Sequence, residues 1–401
     1  MATFAKSTEI SSRVRSAANA WLVSCIIVGG ISGAYMLYQL TSVGHAAFNT
    51  SSDGVNWGLP IATYVFFALT SSGLSMIASL AMVFGFKQFY PIVKRCIWLA
   101  IITLASGFAV LAFELGHPFR MLWAMPTGMQ VASPMFWMGV FYTIDLVLLI
   151  IKFYLIMQDD WHSNLSKLIG VASFVAVILA SGMLGLLFGS VAMRPMWFGS
   201  FTSIYYMLTA ALCGAAAIVV TTYMAFDFDN RNMPDELRAL AESDQLPKVF
   251  ATLIGITLVM IVTRMWTGLW SNLDGLEGFH VLIRSPLFWI EFLLGLVLPF
   301  WMMLQPGMQV RMQPQMIAAF LVLGGMFINR YEFIVSGQVV PMFKGTWVNS
   351  LEPYFPSTTE WAMAIFGLAV ALGGYAIGEK LFHLSATPNH TTQNKLAGAA
   401  A

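Results

Sequence analysis

The chain reads as an all-α integral membrane protein of about ten transmembrane helices. Three observations carry that reading. Of its 401 residues, 58% are hydrophobic and 10% charged, with a mean hydropathy of +0.75, where a soluble domain carries about 25% charged residues. Apolar runs of roughly 20 residues recur along it, each long enough to cross a hydrocarbon core. Those runs lack the residue-by-residue alternation of a transmembrane β-barrel strand.

The runs fall at 20–40, 59–86, 96–114, 135–157, 168–190, 200–226, 249–270, 287–304, 316–335 and 361–380. The first is too long for a cleaved leader and is expected to be an uncleaved anchor. With an even number of spans, both termini share a face with the even-numbered loops. That face holds 14 of the 20 Lys and Arg residues and the opposite face six: Arg120, Arg194, Arg264, Arg284, Arg330 and Lys344. Positive charge marks the cytoplasmic side. Both termini are therefore expected in the cytoplasm, with the opposite face in the periplasm if the cell is Gram-negative.

Two Ser-Pro pairs share a context, SPMFW from Ser133 and SPLFW from Ser285, 152 residues apart. GGISG in the first span and SGMLG in the fifth keep the same offset, Gly30 and Gly33 against Gly182 and Gly185. Spans two and six match with a gap, Tyr64 with Tyr205 and Gly73 with Gly214. These matches predict two parallel copies of a four-helix bundle, residues 20–157 and 158–304. Two additional helices (305–380) follow, with terminal tails at 1–19 and 381–401. Each match also has an ordinary cause: Ser-Pro opens helices, Trp sits at membrane interfaces, and spaced small residues let helices approach. In the loop at 227–248, NMPDELRALAE predicts a short surface helix, with Asn232 as cap and Pro234 in the first turn. The loop at 336–360, rich in Pro and aromatics, suits a folded cap or docking surface, and the tail after Ser385 reads as disordered.

The three Cys and six His limit the redox chemistry. Cys25, Cys96 and Cys213 lie in or at apolar spans without a C-x-x-C pair, which argues against an iron–sulfur or zinc site in this chain. The histidines (His45, His117, His162, His280, His383 and His390) stand at span ends, in loops or in the tail. None sits where paired haem ligands would need to face each other inside a bundle.

The charges inside the spans stand out, because an ionisable group in a bilayer is costly and is a candidate functional group by default. At about 1.5 Å per residue, Asp145 lies about 15 Å deep, near the midplane, and Glu291 and Arg264 roughly 8–9 Å from the opposite face. Glu332 and Arg330 fall near the end of span nine. The stretch ELGHPFRMLW, residues 114–123, puts Glu114, His117 and Arg120 at the end of span three, beside Arg194 at the end of span five. Pro118 disfavours helix at His117, so span three should stop near Gly116. These groups either form interfacial ion pairs or build a polar pocket at that membrane edge, wide enough for a ring with two carbonyls. In span four, Tyr142, Asp145, Leu149 and Lys152 share one stripe at i, i+3, i+7 and i+10. That stripe suits a proton route, or buried hydrogen bonds with Lys152 reaching to the interface.

GGISGAYMLYQL, ELGHPFR and SPMFWMGVFY together resemble the NrfD/PsrC family, over about spans one to eight. The family comprises membrane subunits of polysulfide, nitrite, tetrathionate and related reductases; the ten-span length resembles its longer branch, DsrP-like or like quinone-linked hydrogenase membrane subunits. The resemblance implies a quinone-interacting subunit of a multi-subunit oxidoreductase in the inner membrane. It would exchange electrons between menaquinone or ubiquinone and a periplasmic iron–sulfur, ferredoxin-like partner, with further redox subunits and no haem or cluster of its own. Lipid and the quinone pool are its other expected partners, and nucleic acid is not one. By position, His117, Tyr142 and Asp145 match the family's quinone site, with Glu114 and Arg120 beside them; Tyr35, Tyr38 and Gln39, with His45 just outside, complete the expected pocket. In the expected mechanism His117 or Glu114 exchanges the proton, while Tyr142 and Arg120 hold the carbonyl oxygens. Asp145 joins His117 and Glu114 as a candidate catalytic group. Arg194, Arg264 and Glu291 in the second bundle, with Asp145 and Lys152, are candidates for a proton path or a relic site. Two other classes compete. A secondary transporter would carry substrate without quinone dependence, and an anchor for a peripheral enzyme would tolerate loss of His117 and Asp145.

Overall fold

The computed structural model describes residues 12–51, 54–115, 119, 123, 126–242, 245–271, 276–340 and 354–388. Ten helices among these are long and apolar enough to cross a membrane, so the all-α membrane fold holds. They are α1 Ser12–Ser42, α2 Leu59–Met82, α3 Tyr90–Glu114, α4 Pro134–Met157, α5 Asn164–Gly189, α6 Phe201–Ala225, α7 Gln245–Trp270, α8 Pro286–Leu304, α9 Met312–Ser336 and α10 Thr358–Leu381. The second span ends at Met82 rather than 86 because the chain turns there, with Gly85 at φ +75°, a backbone that glycine adopts without steric cost. Below, the face that carries the start of α1 and the end of α10 is the terminal face, and the other is the opposite face.

Proline fixes several starts. Pro60, Pro91, Pro134 and Pro286 stand in the first turn of their helices, where the missing N–H costs nothing. The two Ser-Pro starts are built alike. The Ser133 amide donates to the Gln130 carbonyl and the Ser285 amide to Leu282, both at 2.9 Å. The Trp137 indole donates to the Val131 carbonyl at 2.8 Å, and Trp289 to Ile283 at 2.9 Å. The short helix expected in the loop before α7 forms at Asp235–Glu242.

The interior is organised around α2 and α6, most of whose residues are buried. They cross at Gly73 and Gly214. A Cβ on Gly73 would overlap the Ala210 carbonyl oxygen, and one on Gly214 the backbone of Gly73, so only glycine permits this approach. α3 and α5 pack against α2, with α4 against α3 and α5; α7 and α9 pack against α6, with α8 against α7 and α9; α9 also touches α2. α1 lies along α10, with Gly29 against Ala369 and Gly33 against Phe366, and most of its length stays exposed. α8 is not a uniform α-helix. Its middle, Ile290–Val297, is wound as a π-helix, an irregularity frequent at functional sites.

Candidate functional site

The polar stripe of α4 faces inward as its spacing requires. Tyr142, Asp145 and Leu149 are fully buried, and Lys152 nearly so. Each polar member meets a serine that spacing alone did not single out. The Tyr142 hydroxyl lies 3.3 Å from Ser72 Oγ on α2. Asp145 Oδ1 accepts from Ser173 Oγ on α5 at 3.0 Å, while Oδ2 has no hydrogen-bond partner among the described residues. Lys152 Nζ donates to Ser166 Oγ at 2.6 Å and to its carbonyl at 2.9 Å, so this ammonium is buried rather than extended to the interface. Ser166 Oγ passes the chain on to the Asp160 carbonyl at 2.8 Å, on the terminal face. Phe108 of α3 packs edge-on to Tyr142 and stacks on Tyr64, which shields the upper end of the stripe.

A second buried network centres on Asn329 and Arg330 of α9. Asn329 Nδ2 donates to Glu291 Oε1 at 2.5 Å, and its Oδ1 accepts from the Tyr205 hydroxyl at 2.7 Å and from Arg330 Nη1 at 3.3 Å. One amide thus bridges a carboxylate and a guanidinium. Arg330 also donates to Thr209 Oγ1 and lies over the Tyr206 and Tyr205 rings, 4.7 and 5.5 Å from their centroids. Glu291 and Arg330 are both buried, and such charges need compensation. Next along, Ser285 Oγ donates to Glu332 Oε1 at 2.6 Å, while Glu332 Oε2, Arg330 Nε and the Tyr206 hydroxyl lack partners among the described residues.

Arg264 borders this network through Phe333, which packs on Tyr205 and Tyr206, whereas Arg194 sits apart from it. Arg264 lies over the Phe333 ring at 4.4 Å and donates to the Met196 carbonyl at 3.2 Å. Arg194 donates to the Gln338 and Val340 carbonyls at 3.0 and 2.8 Å, and loss of water around its guanidinium lowers its pKa. Both guanidiniums brace backbone on the opposite face.

At the edge of that face α1, α3 and α10 converge. His45 Nε2 lies 2.7 Å from the Glu114 carbonyl. The Tyr35 hydroxyl lies 2.8 Å from Thr358 Oγ1, and Gln39 Nε2 donates to Tyr35 at 3.3 Å. Glu360 closes a capping box with Ser357 and accepts from the Tyr354 hydroxyl at 2.5 Å. Tyr354 in turn accepts from the Leu59 amide at 2.8 Å; burial and the Glu360 carboxylate push its pKa well up. His117 and Arg120 lie outside the described residues. Tyr35, Gln39, His45 and Glu114 come together here, whereas Tyr142 and Asp145 face α2 and α5. No hydrogen bond joins the two groups among the described residues.

Sequence reasoning passed over Asn329, Tyr205, Tyr206, Thr209, Ser72 and Ser173 as site residues. INRYE at the end of a span and the Tyr205–Tyr206 pair were the available signals. The serines carried none, since most hydroxyls in these spans bond back to their own helix, as Ser79 and Ser181 do.

Comparison with known proteins places this geometry in context. The family model described as polysulphide reductase, NrfD, matches residues 48–342. Among curated proteins, the chain is 24% identical to a selenate reductase subunit of Mesobacillus selenatarsenatis, covering 79% of this chain and 84% of that protein. It is 22% identical to the Hdr-like menaquinol oxidoreductase integral membrane subunit of Archaeoglobus fulgidus, covering 87% and 92% respectively.

Proposed function

Because the chain belongs to the NrfD family, we propose that it is the quinone-interacting membrane subunit of an oxidoreductase complex in the inner membrane, with both termini cytoplasmic. The relative described as a menaquinol oxidoreductase subunit supports the substrate class, and the relative described as a selenate reductase subunit supports membership of a redox complex. The observation that carries the reading is the set of buried polar groups inside the bilayer, above all Asp145 with one carboxylate oxygen unpartnered among the described residues. An orphaned carboxylate oxygen in a span is a group able to take a proton.

The quinone head is assigned to the edge where Glu114, His45, Tyr35 and Gln39 converge, with His117 and Arg120 in the adjoining stretch. Quinone carbonyls accept hydrogen bonds, and Gln39, Arg120 and Tyr35 are donors. Oxidation of a quinol releases two electrons and two protons. The two electrons pass to an iron–sulfur partner on the periplasmic face, and the two protons pass to Glu114 and His117, one each, histidine being suited by its near-neutral pKa. Tyr142 and Asp145 form a separate inner group behind Phe108, where a proton route would begin. The route continues along Ser173, Lys152 and Ser166 to Asp160, and the Glu291–Asn329–Arg330 network offers a second one. Quinol oxidation by the assembled complex is the test. Glu114→Gln and Asp145→Asn are expected to lower turnover by about 100-fold or more, the usual contribution of a positioned acid or base, with assembly intact. Wild-type turnover in both variants would reject the assignment.

A further inference from the structure

On the terminal face, the last turns of α8 pack against α7, and the two helices leave between them an apolar groove open to the lipid. Its accessible volume is about 650 Å³, within the range of clefts that hold small ligands. On the far side of α8, a Cβ on Gly295 would come within 2.7 Å of the Gly325 Cα, so α8 lies tightly on α9. On the α7 wall, Thr252, Gly255 and Val259 face Phe300 and Leu304 of α8. At Gly255 a Cβ would stand 3.0 Å from the Phe300 ring, so glycine there lets that ring pack against the α7 backbone and form the inner end of the groove.

Its length and its polarity are informative. From Lys248 to Val259 the groove runs 11 residues, about 16 Å at 1.5 Å per residue, which is one leaflet of a hydrocarbon core of about 30 Å. Its walls are apolar along that depth, and its mouth carries Lys248 and Gln309. Arg311, two residues beyond Gln309, is exposed on the same face. A cation at the interfacial end of a one-leaflet apolar slot complements an anionic headgroup on an acyl chain, and basic pockets between transmembrane helices bind acidic lipid in this way. We propose that this groove is a binding site for an anionic phospholipid of the terminal-face leaflet, with its phosphate at Lys248 and an acyl chain between α7 and α8. The site is separate from the quinone edge, which lies at the other end of the bilayer.

The experiment is native mass spectrometry of the delipidated full chain. It would be titrated with phosphatidylglycerol, with phosphatidylcholine and with a short-tailed menaquinone analogue. The wild type is expected to hold one phosphatidylglycerol at least tenfold more tightly than phosphatidylcholine. Lys248→Gln should erase that preference, and Thr252→Trp, which fills the groove from an exposed position, should weaken phosphatidylglycerol at least tenfold. Ala251→Leu serves as a second filling variant, and melting temperatures confirm that each variant is folded. Equal retention of the two lipids would overturn the proposal, as would retention unmoved by both filling variants in folded protein. Displacement of phosphatidylglycerol by one equivalent of the menaquinone analogue would also overturn it and make the groove a second quinone site.

Discussion

Asp145 is the buried acid on which the proposed proton route depends. Its place in an apolar run and its spacing from Tyr142 and Lys152 made it visible in the sequence, and it is buried with one oxygen unpartnered among the described residues. Ser173→Ala removes the donor to the other oxygen. It should lower proton-coupled turnover less than Asp145→Asn does, because a hydrogen bond to a charged group contributes about 1.5–3 kcal/mol whereas the asparagine cannot take the proton at all. Turnover against pH separates the two: Ser173→Ala should shift the profile, and Asp145→Asn should flatten it. Asn329 was not legible in the same way. An asparagine beside Arg330 reads as one more polar residue at a span end until helix rotation places its amide between Glu291 and Arg330.

His383 gives a pH dependence outside the membrane. Burial and the nearby positive charges of Lys94 and Arg95 lower its pKa, with Glu379 opposing them. The sign follows from linkage. Below a pH of about 6.5 the unfolded chain binds this proton and the folded one resists it, so stability falls as pH drops. The protection of amides in residues 382–388, taken as observed exchange relative to the base-catalysed intrinsic rate at each pH, should therefore fall between pH 7 and 5, and His383→Gln should remove most of that fall. An equal fall in the variant would assign it to other groups.

Between helices, the tie least expected from sequence joins α3 to α10. Arg95 Nε meets Glu379 Oε1 at 2.6 Å with both side chains buried, and Arg95 Nη2 reaches Ser385 Oγ at 3.0 Å. Removing one partner of a buried pair costs about 3–5 kcal/mol, whereas replacing both with apolar residues is often neutral. Arg95→Leu should therefore melt well below the wild type, and Arg95→Leu with Glu379→Leu should regain most of the loss. Helix existence and length were readable from apolar periodicity because span length is dictated by the bilayer. Partner choice was not. α1 and α10 are apolar on nearly every side, so nothing in their composition announces that they lie together. The π-helical middle of α8 was equally silent, since its sequence IEFLLGLV suits a regular helix.

Across the whole molecule, α2 and α6 join the helices of the first half to those of the second, and their approach depends on glycine at positions 73 and 214. Gly73→Val places three extra carbons against the α6 backbone. It should prevent stable assembly, seen as aggregation or loss of a cooperative melt, while Gly30→Val, on the open side of α1, should leave both unchanged. The pairing of Gly73 with Gly214 was visible as a weak sequence match; that the two touch could only come from the packing. The residues expected to build one polar pocket separate, among the described residues, into an edge group on α1 and α3 and an inner group on α4. Charge spacing gives depth along a helix axis and not the direction in which each helix turns its face.

The central claim is that a quinone binds at the edge where α1, α3 and α10 converge. Binding of a quinol analogue to the detergent-purified chain, wild type beside Glu114→Gln and His117→Ala, tests it most directly. Micromolar or tighter binding by the wild type, weakened about tenfold or more in both variants, is the expected result, since a lost hydrogen bond to a charged group costs about 1.5–3 kcal/mol. Wild-type affinity in both folded variants would contradict the claim and move the quinone away from this edge.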